Sequence, residues 1–226
     1  MTTLTIIYCL CGTLSLVIAA AWCAHFASYR SIKNRALRER KWDYNICCGT
    51  TDGGGINADI KKHGEVPRFE LITDVSRLAH PDGAFQHVLC SHTIEHVPDP
   101  EAMYRELRRI GRNVTLLVPP LWDFTAALHP LEHQVIFLTF KSRHENHLPP
   151  FIRYWPARWL QAFLGQRIEA DAQADYSNTR FRQIADYLVP PFFCASAVLC
   201  AFSQISGLAM FALASLALWA SKSLRY

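Results

Sequence analysis

Formal charge is missing from Met1 to Tyr29, where His25 is the one titratable side chain of the Asp, Glu, Lys, Arg and His set. It is missing again from Tyr187 to Ser221, ahead of Lys222 and Arg225. The chain has eight cysteines but no Cys-x-x-Cys pair. Cys9, Cys11, Cys23, Cys194 and Cys200 fall in the uncharged stretches, and Cys47, Cys48 and Cys90 in short apolar runs that read as strands. That placement excludes a disulfide framework and describes small buried hydrophobes in a reducing compartment. Internal repeats and low-complexity linkers are also lacking. With 226 residues, there is room for one domain and its appendages, not for two full domains.

Leu4 to Phe26 is about the length that crosses a bilayer core as a helix. Arg30, Lys33, Arg35, Arg38, Arg40 and Lys41 follow it, relieved only by Glu39. By the positive-inside rule that flank is cytoplasmic, so the N-terminus is expected outside and the main domain inside, at a membrane of the bacterial inner-membrane type. A cleaved signal peptide would carry its basic residues before the apolar run; here they come after it, which favours an uncleaved anchor. The basic run lacks interleaved aromatics, so its acidic neighbour is expected to be lipid headgroups and not nucleic acid. Pro190 and Pro191 open the C-terminal apolar run, which is long enough for one tilted span; Ser203-Gln204 and Ser206-Gly207 near its middle leave a re-entrant hairpin open. The expected organisation is an anchor over 1–29, a basic juxtamembrane segment over 30–42, a folded domain over 43–186, and a transmembrane segment with a short basic tail over 187–226.

Between the anchors, short apolar runs end in Gly, Asp or Ser-His. Asp43–Cys48, Ile56–Ile60, Phe69–Thr73, Ala84–Ser91 and Val114–Val118 read as strands. Asp99 and Pro100 open a helix through Ile110 whose Met103, Leu107 and Ile110 share one face. Trp155 to Leu164 reads as another helix, with Pro156 in its first turn and Gly165 at its close; 166–182 reads as a late strand and a polar loop. Alternating strands and helices predict an α/β, Rossmann-like, mostly parallel sheet with flanking helices, carrying one N-terminal and one C-terminal transmembrane helix. Four of the ten glycines lie between Gly49 and Gly55, where a ligand could approach the backbone closely.

Asn45-Ile46-Cys47-Cys48-Gly49, Asp59, Asp74-Val75, Asp82-Gly83, Ser91-His92, Glu95-His96-Val97 and Tyr104-Arg105-Glu106-Leu107 occur in one order and spacing. In this the chain resembles the class I S-adenosylmethionine-dependent methyltransferases, of the type 11-like subgroup with a short first crossover. The resemblance covers about Trp42 to Leu138. It implies S-adenosyl-L-methionine as cofactor. Cys48, Gly49 and Gly53 would form the loop against its methionine part and Asp59 would hold the ribose hydroxyls. Asp74, with the Val75 backbone, would read the adenine edge, and Ser91 and His92 would sit beside the transferable methyl. His92 would be the base where the acceptor must lose a proton.

The chain departs from the family pattern in three places, one of them before the fifth strand, where Ile110-Gly111-Arg112 stands in place of a Pro-Gly-Gly turn. The first motif has no acidic residue ahead of a Gly-x-Gly, and only about ten residues separate Gly49 from Asp59, too few for a normal crossover helix. Two functions are therefore expected as alternatives: a membrane-anchored methyltransferase acting on a lipophilic or membrane-borne acceptor, or a methyltransferase-like accessory subunit without catalysis. In the second case the small residues of the apolar spans would pack against other membrane subunits. His92-Thr93-Ile94-Glu95-His96 also matches the inverted zinc-protease pattern, but it lies at a strand end beside Pro98 and Pro100, so no metal site is expected. The cluster of His129, His133, His144 and His147 reads as a hydrogen-bonded loop.

Overall fold

The computed structural model describes residues 3–130, 132–164, 191–200 and 209–216. It divides into two compact units, Met1–Ala24 with Gln173–Tyr226, and His25–Ala172. In the first unit, helix α1 (Thr3–His25) packs Ala19 with Phe193 and Ala214, and the Ser15 hydroxyl donates to Ser196 Oγ at 3.1 Å. The helical backbone continues through a wider π-helical turn, Phe26–Ser31, into α2 (Ile32–Glu39). Thr5–Glu39 is long and apolar enough to cross a membrane by length and composition. Among the C-terminal residues, Pro191–Cys200 and 209–216 are helical, so the expected single span over 187–221 lies in part outside the described residues, as does the expected strand over 166–182.

Among the described residues, the second unit has eight strands and three further helices. These are β1 (Trp42–Ile46), β2 (Gly54–Asp59), β3 (Phe69–Leu71), β4 (Phe85–Ser91), α3 (Pro100–Ile110), β5 (Gly111–Leu117), α4 (Phe124–Ala127), β6 (Val135–Phe137), β7 (Arg143–Glu145), β8 (Phe151–Arg153) and α5 (Trp155–Leu164). The main sheet has the order β3-β2-β1-β4-β5-β7, parallel except for β7, and β6 pairs with β8 in a small antiparallel ribbon. The order reverses direction at β1, between its neighbours β2 and β4, so the strand tips there form the crevice that ligands use in open α/β sheets.

One face of the sheet is covered by α3. Asp99 caps it by accepting from the Ala102 N–H at 2.9 Å, Pro100 starts it, and Met103, Leu107 and Ile110 are buried against Tyr44, Ile46, Val88, Cys90, Val114 and Leu116. Each such side chain contributes about 1.5–3 kcal/mol through burial. From the same helix Glu106 accepts the Leu78 N–H at 2.6 Å. Arg109 donates to the carbonyls of Leu78 and His80 and to Asp82. The spacing that joins Asp82 to Glu106 in the sequence is thus a clamp holding the turn before β4.

The opposite face is covered by α2. Ala36 packs with Trp42, Leu89 and Leu117, flanked by Ile32 and Leu37, and the Trp42 indole donates to the Ala36 carbonyl at 3.0 Å. Arg143 of β7 pairs with Glu39. The basic run is therefore not a free-standing strip between anchor and domain. Its apolar side, Ile32, Ala36 and Leu37, belongs to the core of the sheet, and Trp42 is the first residue of β1.

No helix lies between β1 and β2. Residues 47–53 return across the sheet as a loop, held by two buried amides. Asn45 donates to the Thr51 carbonyl at 3.2 Å and to Asn57 Oδ1 at 3.1 Å, and Asn57 Oδ1 accepts the Gly53 N–H at 2.8 Å. These bonds satisfy the loop backbone where a crossover helix would have satisfied its own. The short count between Gly49 and Asp59 has this physical consequence.

Candidate active site at the strand tips

β1 ends in a tight turn. Cys47 has φ +50° and Gly49 φ +57°, both left-handed. A Cβ at Gly49 would meet nothing within 4 Å, so the tip is open there. Cys47 and Cys48 follow the strand, which ends at Ile46, two residues short of the end expected at Cys48. Burial pushes both thiols up, Cys48 to about 12 and Cys47 well above its ordinary value, and Cys90 shifts the same way. All three stay protonated at neutral pH and are not nucleophiles.

Asp59 ends β2 at 5% exposure. Its Oδ2 accepts the Gly49 N–H at 2.8 Å and its Oδ1 the Ile60 N–H at 2.7 Å. The carboxylate therefore ties the β1 turn to the β2 tip. Ser91 ends β4 and His92 follows it, and the Ser91 hydroxyl is buried without a hydrogen-bond partner among the described residues. His92 has φ +53°, and its N–H donates to the Leu117 carbonyl at 2.8 Å, which holds the ring over the tips. Its Nδ1 lies 3.6 Å from Glu95 Oε1, and its buried Nε2 has no partner. Burial pulls the His92 pKa down despite Glu95, so the ring is neutral at pH 7 and can accept a proton.

Two residues that the sequence did not single out complete the tips. The Tyr29 ring stands against His92, with centroids 4.6 Å apart and a 52° tilt. Lys33, one turn further along the helix, sits 5.5 Å from the Tyr29 ring centroid, and its charge reaches Cys48, Cys90 and His92. The basic run thus delivers one cation to the crevice. The signal in the sequence was spacing alone: Tyr29, Lys33 and Ala36 fall on adjacent turns of one helix.

Gly53 is not at the tips. It lies on the return path over the sheet face, its carbonyl accepting the Trp42 N–H at 2.8 Å, and a Cβ there would stand 2.7 Å from that of Asn45. The need for glycine at this position comes from close passage over Asn45, which corrects its expected place in the cofactor loop. Asp74 is exposed after β3, its Oδ1 accepting the Ser76 N–H at 2.8 Å and the Ser76 hydroxyl at 2.6 Å. These bonds hold its carboxyl below the usual range. Val75 packs against the main core. Neither reaches the tips of β1 and β4 through a side-chain bond among the described residues.

The tips fit S-adenosylmethionine in three respects: the open Gly49 turn, the acidic end of β2 beside it, and the unpartnered Ser91 hydroxyl on the neighbouring strand. Glu95-His96 follows as a turn, His96 donating from Nδ1 to the Glu132 carbonyl at 3.1 Å. His144 lies in β7, bonded to the Lys141 carbonyl at 2.9 Å and to His147 at 3.1 Å, as a hydrogen-bonded element of the sheet edge.

Comparison with known proteins agrees with this geometry. Residues 46–118 match the family described as methyltransferase domain. Among solved structures, a SAM-dependent methyltransferase from Methanosarcina mazei is similar at 18% identity, covering 53% of this chain and 77% of that one, with a TM-score of 0.31. A protein from Pyrococcus horikoshii OT3 is similar at 15% identity, covering 63% and 81%, with a TM-score of 0.35. Likenesses this distant say nothing about function. No curated protein matches. The likeness to a methyltransferase domain thus spans residues 46–118, from the end of β1 to the residue after β5.

Proposed function

We propose that this protein is a membrane-anchored methyltransferase that modifies a lipophilic or membrane-borne acceptor. The observation that carries the reading is the run from apolar helix to strand tips. The stretch that is apolar and long enough to span a bilayer continues as helix to Tyr29 and Lys33, which stand at the tips of β1 and β4. The cofactor supplies an electrophilic methyl on a sulfonium, so the protein's share is to align an acceptor, exclude water and take up a proton. Asp59 and the Gly49 turn bind and orient the cofactor, Tyr29 and His92 wall the crevice against water, and His92 Nε2 accepts the acceptor's proton.

Exposed aromatics support a membrane surface as the working environment. Trp122 and Phe124 flank Asp123, whose carboxylate faces His25 at 3.2 Å and accepts the Ser28 hydroxyl, two residues next to the end of the apolar run. Trp155 and Trp159 are 65% and 74% exposed on α5, one turn apart, with Arg158 over the Trp155 ring. Tryptophan and arginine in this combination suit the headgroup layer. By the positive-inside rule the basic run after the span supports a cytoplasmic side for the domain, with membrane lipids as its neighbours. The helix-free return between β1 and β2 supports a second reading, in which the domain is an accessory subunit held to other membrane subunits by its spans and does no catalysis.

The test is transfer of radiolabelled methyl from S-adenosylmethionine by full-length protein in detergent, supplied with either total membrane lipids or the aqueous metabolite fraction. Label is expected in the lipid fraction and is expected to fall about 100-fold or more in His92→Ala. Label confined to aqueous products would overturn the lipophilic acceptor, and no label in either would favour the accessory role.

A further inference from the structure

Behind His92 lies a second cluster that the transfer reaction does not use. Glu95 is 1% exposed, and neither of its carboxylate oxygens has a hydrogen-bond partner among the described residues. Two imidazole nitrogens approach Oε1, His92 Nδ1 at 3.6 Å and His96 Nε2 at 3.9 Å, both too far for a hydrogen bond. A carboxylate buried in this way is costly unless a charge or several donors compensate it.

The two histidines around it have their tautomers set from outside. His96 Nδ1 faces the Glu132 carbonyl at 3.1 Å and His133 Nδ1 faces the Ala127 carbonyl at 3.3 Å. A carbonyl can only accept, so both rings carry their proton on Nδ1. A neutral ring then presents an Nε2 lone pair. The rings meet edge to face with centroids 4.8 Å apart. One ligand atom from each of Glu95, His96 and His133 lies within 4.8 Å of the other two. Backbone carbonyls that fix the far nitrogen of each imidazole are the outer-shell arrangement metal-binding histidines use.

We propose that Glu95, His96 and His133 bind a first-row divalent transition-metal ion of the Zn²⁺ type. Two imidazoles and one carboxylate suit that class better than Mg²⁺ or Ca²⁺, which take oxygen ligands. The ion would complete the charge of Glu95 and join the turn after β4 to the segment before β6, where the Gln134 N–H already donates to the Glu95 carbonyl at 2.8 Å. Its role is to brace the wall of the crevice behind His92. The inverted-protease spacing plays no part, since the third ligand comes from a different segment.

The experiment uses tag-free, full-length protein in detergent, stripped with chelator and titrated with Co²⁺. Saturable binding of one ion per chain is expected, with the visible absorption of a low-coordinate nitrogen–oxygen site, displacement by Zn²⁺ and a rise in Tm. Glu95→Gln and His133→Gln are expected to lose the absorption and the Tm shift while keeping the wild-type circular dichroism. Should either fail to fold, His96→Gln, at a less buried ligand, serves in its place. No saturable Co²⁺ binding by folded wild type, a sulfur-to-cobalt charge-transfer band, or unchanged binding in the variants would overturn the proposal. Cofactor binding is measured separately on the stripped protein, so failure here is distinct from failure of the methyltransferase reading.

Discussion

Gly55→Ala is expected to destabilise the domain by roughly 3 kcal/mol or more, at the upper end of what overpacking costs. A Cβ at this position would lie 2.3 Å from the Trp42 carbonyl oxygen and 2.4 Å from that of Asp43. Both obstacles are backbone, so no rotamer change relieves the clash. Relief requires the first residues of β2 to leave β1, breaking the Trp42–Gly54 and Tyr44–Ile56 register that seats the central strand. Urea denaturation followed by tryptophan fluorescence measures the effect, because Trp42 is buried at the junction. Gly49→Ala, at a left-handed position with open space, is the comparison: only the conformational cost of about 1 kcal/mol applies. Equal stability of Gly55→Ala and wild type would mean that β2 does not approach β1 as described.

Asp123→Asn is expected to cost about 2 kcal/mol, the scale for leaving a buried hydrogen-bonding group unsatisfied. The side chain is 0% exposed. Its Oδ2 accepts from Ser28 and faces His25 Nδ1, while Oδ1 accepts from Thr125 Oγ1 at 2.9 Å and from the Ala126 N–H at 3.2 Å. An amide keeps the second pair of bonds and turns a donor toward Ser28 and His25. Burial alone would raise the Asp123 pKa, but the bonds from His25 and Ser28 hold it below the ordinary range. A group whose folded pKa is depressed stabilises fully above its unfolded pKa, about 3.9, and loses that contribution as pH falls through the lower folded value. Wild type should therefore lose stability more steeply than Asp123→Asn below about pH 4, and the two curves should run parallel above it. Parallel curves at all pH values would mean that the Asp123 carboxylate contributes no pH-dependent stability.

Most of the sheet was legible because parallel strands buried on both faces read as short apolar runs, and Asp99-Pro100 with Met103, Leu107 and Ile110 announces α3 without ambiguity. The three-residue strands β6, β7 and β8 were not, since so short a strand shows no periodicity. The tips were legible at Asp59, Ser91 and His92, because each closes an apolar run. Gly53 was misplaced for a different reason. A glycine that lets a ligand approach and one that lets the chain pass over Asn45 look the same in sequence. Asn45 and Asn57, the amides that replace the missing helix, gave no signal beyond the short count of residues. Tyr29 and Lys33 were hidden inside an anchor and a basic run that already had explanations. Glu95 needed His133, which comes from another segment and is brought beside it only by the fold.

Calorimetric titration of full-length protein in detergent, with Asp59→Asn alongside, asks whether the tips of β1, β2 and β4 bind S-adenosylmethionine. Asparagine can still accept the Gly49 N–H through its one carbonyl oxygen, losing the bond from the Ile60 N–H, so the tie to the β1 turn survives while the charge is lost. Saturable binding by wild type, weakened more than about tenfold in Asp59→Asn, is the predicted result, since a hydrogen bond to a charged group contributes about 1.5–3 kcal/mol. No binding by folded wild type at millimolar cofactor would contradict a cofactor site there, and the helix-free return between β1 and β2 would then mark a methyltransferase fold that serves a membrane assembly without catalysing transfer.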